Sequence, residues 1–242
     1  MLITGSQGFI GRALLNKVGG EVVSVKNLPD RTHAKYFLHF ASPSSQVLFN
    51  DDIDCVKESI IDFVEVCKYC RKKHIKLIFP SSGTIYLNNN AYAHTKVAME
   101  NIAQAYLSNY LAVRIFAGYG VGEDHKKDYA SVVYQWIKRM LRDESPVIYG
   151  DGSQSRDFVY IDDIVDNIVN NFDTIGVLDI GTGRATSFNQ VVQLINQALN
   201  KKIKPIYVAK PSNYLENIIC RSSIKNPILL EEGIKRIICH LT

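Results

Sequence analysis

Thr4-Gly5-Ser6-Gln7-Gly8-Phe9-Ile10-Gly11 lies between residues 1–4, a short apolar run that reads as a strand, and residues 10–18, which read as a helix. Glycines at positions 5, 8 and 11 let a chain turn tightly and bring its backbone against a pyrophosphate. The N–H groups and dipole of the following helix then face the anion. A glycine turn alone is a weak signal, since a plain strand-to-helix connection explains it equally well. The strand before it and the helix after it make Gly5, Ser6, Gln7, Gly8, Phe9, Ile10 and Gly11 a dinucleotide cradle.

Outward from this turn the alternation continues. Residues 21–25 and 36–40 read as strands, followed by a loop at Ala41-Ser42-Pro43-Ser44-Ser45. Residues 51–73 read as a long helix, with Ile53, Val56, Ile60, Ile61, Val64 and Val66 at helical spacing. Residues 75–79 form a strand ended by Pro80, 91–108 a helix, and 112–116 a strand. Strands apolar on both faces, alternating with helices, imply an α/β chain with a Rossmann-type, doubly wound parallel sheet. Beyond Phe116 the pattern loosens into helices at 129–142, 161–172, 187–199 and 230–239 and strands at 147–152, 157–160 and 177–180. The expected organisation is a dinucleotide-binding core over 1–118, with 154–182 returning to it. A small C-terminal α/β substrate lobe then comes from 119–153 and 183–242.

Composition narrows the class. A chain of 242 residues, 46% hydrophobic and 21% charged, buries a full core and carries no disorder signature. The net charge of +4 is scattered, apart from Arg71-Lys72-Lys73-His74 at a helix end, where cations complement the dipole; a nucleic-acid surface is not expected. The five cysteines form no disulfide framework. Cys67-x-x-Cys70 falls within a helix without a second ligand pair, so it reads as two reduced cysteines, and no metal is expected. No apolar run is long enough to span a membrane, and Met1-Leu2-Ile3 reads as a strand instead of a signal peptide. A cytoplasmic protein without membrane contact is the expectation.

Two further strings supply reactive groups, Ser81-Ser82-Gly83-Thr84 and Tyr92-Ala93-His94-Thr95-Lys96. Tyr92 and Lys96 stand one helical turn apart and share a face. A phenol with an ordinary pKa near 10 is a poor base at neutral pH, and a neighbouring ammonium is expected to lower it. Tyr92 can then exchange a proton with a substrate hydroxyl or ketone while a nicotinamide exchanges a hydride. Ser82 and Thr84, past the C-terminal end of a strand, can hydrogen-bond the reacting oxygen. By chance many helices carry a tyrosine and lysine at this spacing; behind a dinucleotide turn the pair gains meaning. The second strand runs into Lys26-Asn27 with no acidic residue at its end, and Arg12 and Arg31 are near in sequence. That suits a 2′-phosphate and favours NADP, with NAD the alternative and a solvated surface lysine the bland account of Lys26.

With these strings in place the chain resembles the extended short-chain dehydrogenases/reductases, in the branch of nucleotide-sugar epimerases, dehydratases and ketoreductases. The resemblance is also carried by Phe37-Leu38-His39-Phe40-Ala41-Ser42, Arg114-Ile115-Phe116 and Asp179-Ile180-Gly181-Thr182-Gly183. Its most specific part is Gly150-Asp151-Gly152-Ser153-Gln154-Ser155-Arg156-Asp157-Phe158-Val159-Tyr160-Ile161-Asp162-Asp163. It implies that Phe40, Ala41, Ser42, Tyr92 and Lys96 join the cradle in holding the cofactor. It also implies that Ser82, Thr84, Tyr92, Ile148, Arg156 and Tyr160 meet a nucleotide-diphosphate sugar, with Arg156 on the diphosphate. Glu123-Asp124-His125-Lys126, Ala130-Ser131-Val132-Val133 and Gly181-Thr182-Gly183-Arg184-Ala185-Thr186-Ser187-Phe188 are similar to the ADP-heptose 6-epimerases, which use NADP.

Departures from the pattern limit the reaction. Gly83-Thr84 stands where dehydratases of the branch carry Asp-Glu, which argues against a 4,6-dehydratase. Ala117 replaces an asparagine that many relatives have after Arg-x-Phe. Ser82 and Tyr92 are only ten positions apart, residues 26–36 are short for the usual extra strand and helix, and the region before Pro227 is abbreviated.

The expected function is a nucleotide-sugar epimerase acting by transient hydride transfer through a keto intermediate. The alternative is an NADPH-dependent 4-ketoreductase using the same residues. A dinucleotide-binding sensor or scaffold is a third reading, against which Ser82, Tyr92 and Lys96 argue. His94 and His125 are conceivable further acid–base groups, with surface histidine the simpler account of each. The resemblance implies a homodimer through the helices at 51–73 and 91–108.

Overall fold

The computed structural model of the chain describes residues 1–43, 48–49, 52–87, 90–211, 214 and 217–242. Ser44, Ser45 and Asp51 of the expected loop and helix start lie outside them. The chain forms two compact units, residues 1–115 with 165–179, and residues 116–164 with 180–242.

The first unit is built on a six-stranded sheet. Its strands are β1 (Leu2–Thr4), β2 (Glu21–Val22), β3 (Tyr36–His39), β4 (Lys76–Ser82), β5 (Tyr110–Ile115) and, entering from the returning segment, β9 (Gly176–Ile180). Their order is β2-β1-β3-β4-β5-β9, and the first five pair in parallel. Helix α1 (Phe9–Val18) starts at the glycine turn. Helices α2 (Ile53–Lys73) and α3 (Ala91–Tyr106) share a core with the sheet: Phe63, Val66, Cys67, Cys70, Met99 and Ala103 pack with Leu2, Phe37, Leu77 and Phe79. Phe63 meets Phe79 edge-on at 4.7 Å. The basic end of α2 is as expected, with Arg71, Lys72 and Lys73 in the last turn and His74 closing it in the left-handed region.

Two strand boundaries depart furthest from the expectation. Pro80 does not end β4, which runs on to Ser82 in register with β5. Leu77 N–H donates to Asn109 on the β5 side, so by the two-residue period Pro80 turns its missing N–H toward β3. Pairing with β3 has already stopped at Leu38–Ile78, so the proline breaks no bond. The strand expected at 21–25 shortens to Glu21–Val22, and the chain turns between Ser24 and Asn27. The segment that follows forms no further strand or helix before β3. It is pinned by the Tyr69 hydroxyl on Pro29 O at 2.9 Å and by the Lys73 ammonium on Asp30 O.

The second unit is made of shorter pieces. Strand β8 (Ser155–Tyr160) pairs with β6 (Ala117–Tyr119), β10 (Ala185–Ser187) and β12 (Asn217–Ile218), and β7 (Val147–Tyr149) pairs in parallel with β11 (Ile206–Val208). Helices α4 (Val132–Leu141), α6 (Phe188–Leu199) and α7 (Leu230–Leu241) complete it. Helix α5 (Ile161–Asn170) follows β8. The helix expected from residue 129 begins at Val132, because Ser131 caps it and a 3₁₀ segment, Asp124–Tyr129, precedes it. Asp157, with no exposed surface, is the hub of this unit. Its carboxylate accepts from Thr182 N and Oγ1, Gly183 N and Cys220 N at 2.6–3.1 Å. No helix among the described residues is long and apolar enough to cross a membrane.

Candidate active site

The glycine turn is shaped by close backbone approach. Gly5 has φ +74°, and a Cβ there would lie 2.3 Å from the Phe40 carbonyl; a Cβ on Gly11 would lie 2.1 Å from Gly5 O. Gly8 N–H donates to Gly5 O at 2.9 Å, and Gly8 caps α1 without a side chain. The helix N-terminus is thus presented bare of side-chain caps beside a backbone that only glycine permits, which fits a pyrophosphate. Ser6 is buried and Gln7 exposed, while Phe40, Ala41 and Ser42 follow the end of β3 next to the turn. Lys26 and Asn27 are exposed in the turn after β2, where Asn27 N donates to Ser24 O at 3.0 Å.

Past β4, Ser82 caps a four-residue 3₁₀ turn, Gly83–Tyr86. Its hydroxyl oxygen accepts from Thr84 N at 3.2 Å and Thr84 Oγ1 at 3.0 Å, and Ser82 lies close enough to the Tyr92 phenol to draw its pKa down. Tyr92 enters on the first turn of α3, which Asn90 caps through its side chain onto Ala93 N. The phenol packs edge-on against Phe49 at 5.2 Å. Lys96 is 2% exposed and donates from Nζ to Ser42 Oγ at 3.2 Å. Ser82, Thr84, Tyr92 and Lys96 are all buried.

The electrostatics differ from the expectation. Burial pushes the Tyr92 phenol up to about 12, and the neighbouring Ser82 hydroxyl offsets this only in part. Lys96 lies over the ring, 5.4 Å from its centre, and bonds Ser42, so its charge favours the phenolate less than burial disfavours it. Burial also depresses Lys96 to about 8. The desolvation of both groups outweighs their attraction in this arrangement.

Further residues join the site that the spacing argument did not assign. His39 is 1% exposed, and its Nδ1 shares a hydrogen bond with Thr4 Oγ1 at 2.8 Å just ahead of the glycine turn. Its Nε2 is buried with no partner among the described residues, and burial, then the Lys96 charge, pushes the imidazole down to about 3. It is held neutral. Arg114, Glu100, Ser81 and Tyr86 form a polar cluster behind the 3₁₀ turn. His39 and Arg114 stood in the quoted strings, but their roles depend on partners distant in sequence.

In the second unit, Ile148 is fully buried. Tyr160 is buried against Tyr119, with Arg236 over its ring at 5.4 Å. The Arg156 guanidinium stacks on Phe188 at 5.3 Å and faces Tyr214 at 6.0 Å. His94 and His125 are exposed. Cys67 and Cys70 are buried, free thiols whose pKa values burial raises, and no metal-binding group of side chains occurs among the described residues.

Residues 21–175 match the NAD dependent epimerase/dehydratase family; the glycine turn precedes the matched span. The ADP-L-glycero-D-manno-heptose-6-epimerase of Nitratidesulfovibrio vulgaris is 26% identical over 274 residues, covering 87% of this chain and 84% of its own. Among solved structures, UDP-glucose 4-epimerase of Thermotoga maritima with UDP-glucose superposes with TM-score 0.87 at 25% identity, covering 99% of this chain and 97% of that one. UDP-glucose 4-epimerase of Thermus thermophilus with NAD matches at TM-score 0.84 and 21% identity, covering 99% and 97%.

Proposed function

Because the chain belongs to the NAD dependent epimerase/dehydratase family, we propose that it is a nucleotide-sugar epimerase that works by transient oxidation of a sugar hydroxyl. The observation that carries this reading is the buried Ser82–Tyr92 pair beside Lys96, in the same unit as a glycine cradle that a Cβ would fill. A nicotinamide dinucleotide, when bound, supplies a hydride acceptor and donor. In its phenolate form, which the Lys96 charge favours, Tyr92 takes the hydroxyl proton and later returns it, while Ser82 and Thr84 hold the reacting oxygen. Arg156 receives the diphosphate of the sugar nucleotide, as the resemblance implies.

Three finer points belong to the same proposal. NADP is the preferred dinucleotide, because the turn after β2 exposes Lys26 and offers no carboxylate at the strand end. The chain acts as a homodimer through α2 and α3, on which Ile53, Ile61 and Tyr106 are 80%, 52% and 60% exposed. It works in the cytoplasm, where its five cysteines, all free, stay reduced.

The test is to denature freshly purified protein, identify the released nucleotide by mass spectrometry, and assay UDP-glucose and an ADP-heptose for epimerisation. Stoichiometric oxidised dinucleotide with epimerised product supports the proposal. An empty site that oxidises NADPH with a 4-keto sugar nucleotide replaces it with the ketoreductase.

A further inference from the structure

One ion pair grips both ends of the turn that carries Ser82 and Thr84. Arg114 stands opposite Ser81 in the β4–β5 register. Its Nε donates to Glu100 Oε1 at 3.0 Å and its Nη2 to Glu100 Oε2 at 2.6 Å, a two-point contact with side chains only 21% and 10% exposed. Glu100 Oε1 also accepts from the hydroxyl of Ser81, the residue directly before Ser82. On the other side, Arg114 Nη1 donates to the Tyr86 hydroxyl at 2.9 Å, at the last residue of the turn. The Tyr86 hydroxyl in turn donates to Asp179 Oδ2 on β9 at 2.7 Å. Glu100 follows Lys96 by one helical turn and Tyr92 by two, so the face of α3 that presents the phenol also presents the grip.

We propose that Arg114 and Glu100 are positioning residues, which hold Ser82 beside Tyr92 by fixing Ser81 and Tyr86 on either side of it. This rests on the reading of Ser82 and Tyr92 as the proton-transfer pair. Packing a helix on a sheet does not require buried charge, and well-fitted apolar residues serve as well or better. A bidentate pair with hydroxyls on two sides adds direction, which apolar contact lacks. Within the turn the bonds are short-range: Thr84 N and Oγ1 on Ser82 Oγ, and Leu87 N on Thr84 O. Asp179 completes the assembly as acceptor for the Tyr86 hydroxyl, and its other oxygen is buried with no hydrogen-bond partner among the described residues.

Two mild variants each cut one arm and leave the ion pair in place: Tyr86→Phe releases the end of the turn, and Ser81→Ala its beginning. Hydrogen exchange by mass spectrometry on the full-length, dinucleotide-loaded protein reads the turn directly. Exchange across residues 83–87 is expected to rise about tenfold in Tyr86→Phe while α1 and β1 keep their parent rates. Unchanged exchange in both variants overturns the proposal. With UDP-glucose as probe, kcat is expected to fall about tenfold in either variant at constant KM. A rise in KM alone, or unchanged kcat, overturns the positioning role, since a purely structural tie does not slow chemistry selectively. If the parent protein does not turn over UDP-glucose or an ADP-heptose, the epimerase reading fails, and the exchange result still decides whether the clamp exists.

Discussion

The Lys96 ammonium sits 5.4 Å from the centre of the Tyr92 ring and spends its hydrogen bond on Ser42. In this arrangement burial dominates the pair, raising Tyr92 and depressing Lys96. A base whose folded pKa is depressed stays charged only below that value. In protein carrying ¹⁵N-labelled lysine side chains, one ammonium signal is expected to titrate near pH 8, and Lys96→Met should remove it. If every lysine titrates together at its ordinary value, the burial of Lys96 has been misjudged.

Tyr92→Phe keeps the ring against Phe49 and removes only the hydroxyl. Turnover should fall by about 10²–10⁴, the range for losing a positioned acid–base group, while bound dinucleotide is retained. Retained turnover would transfer the proton-handling role elsewhere.

His39 links stability to acid. Its folded pKa of about 3 lies below the ordinary value of 6.5, so between these values the unfolded chain binds the proton and the folded chain does not. Stability from this residue is complete above pH 6.5 and is lost as pH falls toward 3. At about 1.4 kcal/mol per unit, the full loss is roughly 5 kcal/mol. Urea unfolding at pH 7 and pH 4 should show a smaller drop in His39→Asn than in the parent; equal drops would remove His39 from the account.

The glycines of the turn are predicted to be unequal. Gly11→Ala places a methyl 2.1 Å from Gly5 O, whereas Gly8→Ala meets the same atom at 3.2 Å. Backbone on the receiving end cannot rotate away, so Gly11→Ala should cost about 1–3 kcal/mol and empty the protein of dinucleotide. Gly8→Ala should lose far less of both. Thermal melts and the nucleotide content of purified protein measure the contrast, and similar losses in the two variants would mean the turn relaxes.

In the second unit, Asp157→Ala strips one carboxylate from three backbone N–H groups and a hydroxyl. Each orphaned buried donor costs about 1–3 kcal/mol, so this unit should melt well before the parent does. A melting curve that superposes on the parent's would mean water replaces the carboxylate.

The first unit was largely legible because its signals are local. A glycine turn, apolar runs and helical spacing mark β1, α1, β3, α2 and α3 without knowledge of their neighbours. The strands β6, β10, β11 and β12 went unread, since they are two or three residues long and exist only through pairing with residues distant in the chain. The site divides the same way. Tyr92 and Lys96 were visible from a four-residue spacing, but the clamp at Arg114 depends on Tyr86 and Asp179, which only the folded backbone brings together. The direction of the Tyr92 shift was missed because a sequence shows which charges are near and hides how much water has been removed.

The sixth strand of the sheet has a consequence for synthesis on the ribosome. Five strands and the helices α2 and α3 are complete once Ile115 has emerged, so this core can close early. The outer edge of β5 must then wait for residues 176–180, with a row of unpaired backbone groups open to other chains. The Tyr86–Asp179 bond waits as well. Nascent chains stalled between these two points should be the most prone to aggregate, and those released after β9 should not.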